Sequence, residues 1–328
     1  MHPRGRGAGM SRAGYIACAN SAGSESPAGK RTMTEAAHTE QDLPTAAKGY
    51  LELPEGWKRV RSQGPGPFVT SEVLRAPDGS EVHWRSRSHR KRRRASAGAR
   101  EPTWWRPRTR GWWMSVLFSV GAFCFLVAAV AAQWESSPRG AIGVTFFVGS
   151  IFFTSAAYLQ YSETVNADHT LTADAKRARW RPASWEPRRI DWVASSVQLV
   201  GTVFFNMSTF AAMKHGLTTK QTNTRVWGPD ALGSVCFLIA SELAYAEVCH
   251  RWVCFRNRSL SWWIVALNMA GSIAFGAAAV ASLLEPGSGE PISARISNGG
   301  TAIGGLCFLI GAVLLMPEAA RESAQPGD

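Results

Sequence analysis

The sequence predicts an all-α polytopic membrane protein: six transmembrane helices forming three repeated helical hairpins, behind a basic amino-terminal region. Three observations carry this expectation. A tryptophan is followed nine residues later by a glycine, and four after that by a phenylalanine, at Trp112/Gly121/Phe125, Trp192/Gly201/Phe205 and Trp262/Gly271/Phe275. Each set lies in an apolar run long enough for a bilayer, whose hydrocarbon core takes about 20 residues of helix. Charge is divided unevenly, because residues 1–110 carry 21 Lys/Arg against 10 Asp/Glu and residues 111–328 carry 15 against 14. The mean hydropathy of -0.10 therefore averages two unlike regions.

Residues 1–49 are rich in Gly, Ala, Ser and Thr and poor in large apolar side chains. They offer too little burial to offset the entropy of ordering, so a disordered tail is expected there. No basic stretch followed by an apolar core appears, which argues against a cleaved signal peptide. Residues 50–110 form a basic region in which Leu51, Leu53, Trp57, Val73, Leu74, Val82 and Trp84 surround a Pro77-Asp78-Gly79 turn. Asp-Gly between β-prone runs signals a hairpin, though two strands alone are marginal in water and need something to lean on. The region ends in a polybasic segment, Arg90-Lys91-Arg92-Arg93-Arg94, followed by further arginines up to Arg110. Cations beside an anionic leaflet contribute about 1 kcal/mol each. With Trp104 and Trp105 suited to the interface, these residues read as lipid-headgroup contacts rather than as a nucleic-acid patch.

Six apolar segments follow, at about 112–133, 141–161, 191–213, 231–249, 260–284 and 300–317, making a membrane domain over 111–317 with a tail at 318–328. The loops after the second and fourth spans hold nine Lys/Arg, from Lys176 to Arg258, whereas the alternate loops hold five. Together with the basic amino terminus this predicts both termini in the cytoplasm. Arginine outnumbers lysine 29 to 7, and Ala and Gly are abundant, which hints at a GC-rich bacterial genome, and the expected location of a multi-pass helical protein there is the inner membrane.

Small residues let membrane helices approach closely, and van der Waals contact is what holds such helices together. Gly121, Gly201 and Gly271 serve this role in the first helix of each hairpin. In the second helices the matching pattern is Gly-x3-Phe-x2-small, read at Gly143/Phe147/Ser150, Gly233/Phe237/Ala240 and Gly304/Phe308/Gly311. Polar side chains within spans are costly and often functional. Gln198 and Asn268 share a position three residues before the glycine, where the first hairpin has Phe118, and their amides suit hydrogen bonds between helices. Glu242 lies mid-span in the fourth helix, roughly opposite the Gly233/Ala240 stripe, and is the strongest candidate for a functional carboxylate. Glu247 and Glu318 sit at equivalent cytoplasmic ends, where loop arginines such as Arg251 or Arg256 are the expected partners. Tyr158, Tyr161, Tyr245, Trp134, Trp252 and Trp263 are expected as interfacial anchors.

No phosphate loop, HExxH, nucleophile elbow or close carboxylate pair occurs in a setting that supports catalysis, so no enzyme activity and no catalytic residue is assigned. The six cysteines lack a close-spaced extracellular framework and read as reduced thiols. Cys249, His250 and Cys254 lack the fourth ligand and paired spacing of a zinc site, so neither metal nor cofactor is expected. Membrane lipids are the expected partners, a homo-oligomer is compatible with the composition, and nucleic acid is disfavoured.

The two-helix unit resembles the YrhK-like family of small bacterial membrane domains, through Gly143, Phe146, Phe147, Gly149 and Ser150 and again through Phe308, Leu309, Ile310 and Gly311. The resemblance implies an integral membrane domain with no catalytic residues to carry over. The resulting expectation is a structural, sensory or interaction module. Its alternative is a small-solute or proton-linked transporter using Glu242, Gln198 and Asn268, against which stand the parallel orientation of the hairpins and spans free of interrupting proline.

Overall fold

The computed structural model describes residues 51, 53–92, 105–134, 136–167, 180–255 and 259–324. The expected disordered tail, Arg93, Arg94, Trp104 and Arg256 lie outside these residues. The protein is mostly helical, with one small sheet.

The sheet consists of β1 (Lys58–Gln63), β2 (Ser71–Arg75) and β3 (Glu81–Arg85), antiparallel in the order β1-β2-β3. Asp-Gly closes the β2–β3 hairpin as the sequence indicates: Gly79 has a φ of 86°, and the Asp78 carboxylate accepts hydrogen bonds from the Ser80 N–H and hydroxyl. The third strand, β1, was not legible as such. A tight loop joins it to β2, and a side chain on Gly64 would fall 1.9 Å from the Phe68 carbonyl oxygen, so only glycine fits there. Leu51, Leu74 and Trp84 fill the sheet's own core. The support that a small sheet needs comes from Phe68, which packs among Ile190, Ala194, Leu243 and Ala246 at the ends of two long helices.

A short helix, α1 (Ser86–Arg92), follows β3, and then come α2 (Arg110–Ala131), α3 (Arg139–Val165) and α4 (Ile190–Ala212). A one-turn α5 (Thr219–Thr222) runs through a π-helical turn (Asn223–Trp227) into α6 (Gly228–Cys249), and α7 (Leu260–Ala281) and α8 (Ala294–Ala324) complete the chain. Five of these helical stretches are long and apolar enough to cross a membrane. The remaining long helix, α4, has comparable length but carries Gln198, Asn206 and several Ser and Thr, which lower its hydropathy. Helix α8 runs past the expected end at Pro317, reaching Ala324.

The six long helices close into a ring, each packed on the next in the order α2, α3, α4, α6, α7, α8, with α8 returning to α2. Valine, isoleucine, leucine and phenylalanine, among them Phe123, Val148, Val203, Phe210, Ile239, Ile273 and Ile310, are exposed around its outside. An apolar belt of this kind suits lipid rather than water.

Within each hairpin the helices touch through a pair of glycines. A Cβ on Gly149, Gly233 or Gly304 would lie 3.1 Å from the carbonyl oxygen of Gly121, Gly201 or Gly271 respectively. The first hairpin therefore uses Gly149, not Gly143 as the sequence pattern suggested. Gly143 stands six residues away, where an added Cβ would only touch Met213 at 3.4 Å. Gly311 packs against Asn268, whose side-chain oxygen would meet a Cβ there at 2.7 Å.

Candidate functional site: two cavities in the helix ring

Each ring helix contributes one phenylalanine to the centre. Phe125, Phe205 and Phe275, from α2, α4 and α7, form a triangle with ring centroids 6.3, 6.1 and 5.9 Å apart. Phe153, Phe237 and Phe308, from α3, α6 and α8, form a second with separations of 6.2, 5.7 and 6.0 Å. The triangles interlock at 5.5 Å for Phe125–Phe153, 5.1 Å for Phe205–Phe237 and 5.5 Å for Phe275–Phe308. All six rings are buried. Edge-to-face aromatic pairs contribute about 0.5–1.5 kcal/mol each beyond their buried area, so the hexad is a strong closure.

A cavity lies on each side of this closure, and side chains from all six ring helices wall both. At the sheet end, a cavity of about 90 Å³ is floored by Phe153 and Phe308 and lined by Phe118, Gln160, Gln198, Ser241 and Asn268. At the opposite end, a cavity of about 220 Å³ is floored by Phe125, Phe205 and Phe275 and lined by Ser208, Thr209, Thr222, Trp227, Asp230, Asn298 and Thr301.

The structure thus brings Gln198 and Asn268 to one cavity from different helices, with Phe118 in the same register. Gln198 accepts a hydrogen bond from the Gln160 amide at 3.2 Å. Gln160 lies seven residues after Phe153, as Ala244 and Leu315 lie seven after Phe237 and Phe308, and all three line this cavity. Glu242 lines neither cavity. It is half-buried, in register with Tyr158 and Val313, which are exposed on the outside of the ring.

The mouth at the sheet end is filled by α1. Arg90 reaches Asp191 at 2.8 Å and Glu247 at 3.3 Å, while Arg87 pairs with Glu318 at 3.1 Å. Ser86 donates a hydrogen bond to Glu247 at 2.8 Å, and Arg189 pairs with Asp191 at 2.6 Å. Burial opposes the charge on Arg90, but the carboxylates of Glu247, Asp191 and Glu163 outweigh it and hold the guanidinium above the ordinary arginine range. Two expectations are corrected here. Glu247 and Glu318 take α1 arginines as partners, the expected Arg256 lying outside the described residues, and Arg90 turns toward Asp191 and Glu247 rather than toward headgroups. The signal that reveals this cluster is a glutamate ten residues after each second-helix phenylalanine, at Glu163, Glu247 and Glu318.

Below this network α6 ends at His250, whose φ of 56° makes it the one non-glycine residue with positive φ among the described residues. Its Nδ1 lies 2.8 Å from the Thr70 hydroxyl, tying α6 to the sheet. Burial, with Arg85 and Arg251 nearby, pushes the imidazole below its ordinary range despite the opposing charge of Glu247. Cys249 and Cys254 are joined by a disulfide, which corrects the reading of all six cysteines as reduced. Cys124, Cys236 and Cys307 are free thiols within the ring, and Cys18 lies outside the described residues. Tyr245, expected at the interface, is buried and donates its hydroxyl hydrogen to the Cys254 carbonyl.

No protein-family model matches this chain, and neither curated proteins nor solved structures show a significant similarity to it.

Proposed function

We propose that the chain is a multi-pass protein of a bacterial inner membrane, with both termini cytoplasmic and all six ring helices, α4 included, crossing the bilayer as three repeated hairpins. The ring is a gated passage for a small polar solute. It is held shut by the phenylalanine hexad and bolted at the cytoplasmic end by α1. One observation carries this reading: two cavities, each walled by all six helices, are separated by a single apolar constriction two side chains thick. Hydrophobic constrictions gate by excluding water, so rotation of a few rings is enough to connect the two spaces. Lys91, Arg92, Arg93 and Arg94 remain the proposed headgroup contacts beside the bolt.

Reconstitution tests the passage. Proteoliposomes holding Phe153→Ala or Phe308→Ala should leak small solutes at least about tenfold faster than wild type, since each change opens a gap the size of an aromatic ring where packing is otherwise dense. A second reading, a structural, sensory or interaction module, draws support from the tight aromatic seal itself. It stands if wild type and both variants are no leakier than protein-free vesicles.

A further inference from the structure

We infer that the larger cavity is a binding site for a small organic ammonium ion, held by the carboxylate of Asp230 over an aromatic floor. Asp230 has no hydrogen-bond or ion-pair partner among the described residues, and no basic side chain lines the cavity. A carboxylate at the start of a helix is usually explained by unsatisfied N–H groups and the helix dipole. That account fails here. The helix begins a dozen residues earlier, where Thr218 and Gln221 form a complete capping box, and it continues unbroken through the π-helical turn to Cys249. Asp230 therefore has neighbours on both sides in a continuous helix.

Position within the ring sharpens the point. Asp230 lies seven residues before Phe237, as Phe146 and Thr301 lie seven before Phe153 and Phe308, and all three line this cavity. One hairpin places a charge where the others place an apolar ring and a hydroxyl. The π-helical turn, a distortion often found at functional sites, immediately precedes it. It is pinned by Asn223, whose amide bridges both the N–H and the carbonyl of Leu284, and by the Trp227 indole, which donates to the Ala279 carbonyl at 2.8 Å.

The ligand class follows from the donors. A single carboxylate with scattered hydroxyls is a poor cage for a hard metal ion, which takes six or more oxygens and commonly several carboxylates. The aromatic rings of Phe125, Phe205 and Phe275, which line the same cavity as the carboxylate, instead suit a diffuse cation, attracted by the ring quadrupoles. A volume of about 220 Å³ admits a compact alkylammonium and excludes an extended polyamine in folded form.

The test uses full-length protein in lipid nanodiscs, titrated with tetramethylammonium and followed by calorimetry. Saturable binding is expected, with no binding of the uncharged near-isostere tert-butanol. Asp230→Asn should weaken binding roughly 30-fold or more, because it removes the one charged group that lines the cavity among the described residues. Asp230→Glu should retain most of it, and Glu242→Gln, on the outside of the ring, should leave it unchanged. The proposal is overturned if tetramethylammonium does not bind, if tert-butanol or sodium alone binds, or if Asp230→Asn binds as wild type while melting at the same temperature. Binding does not depend on conduction: a site without flux sinks the passage and leaves this inference standing, whereas flux with Asp230-independent binding does the reverse.

Discussion

At the residue scale, the glycines show how a correct pattern can be read in the wrong place. Gly-x3-Phe-x2-small fits α3 twice, at Gly143/Phe147/Ser150 and at Gly149/Phe153/Ala156, and composition alone does not separate them. The structure separates them by contact. A Cβ at Gly149 would lie 2.8 Å from the Cys124 Cβ and 3.0 Å from the Phe125 ring, with backbone beyond, whereas Gly143 has ordinary room. Gly149→Val should therefore destabilise by about 1–3 kcal/mol through overpacking, and Gly143→Val should stay within about 0.5 kcal/mol. Thermal unfolding of the two variants in one detergent decides between the two registers. Equal losses would return the hairpin contact to Gly143.

At the element scale, α1 and the turn after α6 hold the sheet to the ring by different physics. Arg90, itself 13% exposed, sits between buried carboxylates of two helices, and removing one partner of such a cluster strands the others. Arg90→Ala should cost about 3–5 kcal/mol. The loss should be largely relieved when Glu247→Gln is added, and a double-mutant cycle measures it. None of this was legible from the polybasic run, because a row of arginines looks the same whether one faces a headgroup or a buried acid. His250 works by titration instead. Its pKa is depressed in the folded protein, so the stability it contributes is present above the ordinary imidazole value of 6.5 and is lost as pH falls through the lower folded value. Its hydrogen bond to Thr70 survives protonation, since the hydroxyl can accept as well as donate. The cost comes from burying charge near Arg85 and Arg251. Protection factors of the β1 and β2 amides, which correct exchange for its own pH dependence, should fall on acidification from about pH 7 to about pH 5, and His250→Asn, which tolerates positive φ, should flatten that response.

At the scale of the whole molecule, helical character and long apolar runs were legible because bilayer thickness imposes length and hydropathy directly on the sequence. Ring closure, the phenylalanine hexad and the paired cavities were not. They depend on which faces of six helices meet, and apolar residues point both inward and outward in lipid. Orientation is the property where two features of this chain pull against each other. The proposed topology, which rests on the distribution of Lys and Arg, has the sheet end in the cytoplasm, yet that end holds the Cys249–Cys254 disulfide, and cytosolic thiols are normally kept reduced. The two are reconciled if the pair cycles with the cytoplasmic thiol pool, closing on isolation because its Cα atoms already lie 5.7 Å apart. Cells quenched in acid and alkylated before lysis should then yield protein labelled at both Cys249 and Cys254, while protein purified in air should be labelled at neither. A pair found fully oxidised in quenched cells would put the sheet, α1 and both termini on the outer side, and the arginine bolt would then guard the opposite mouth of the passage.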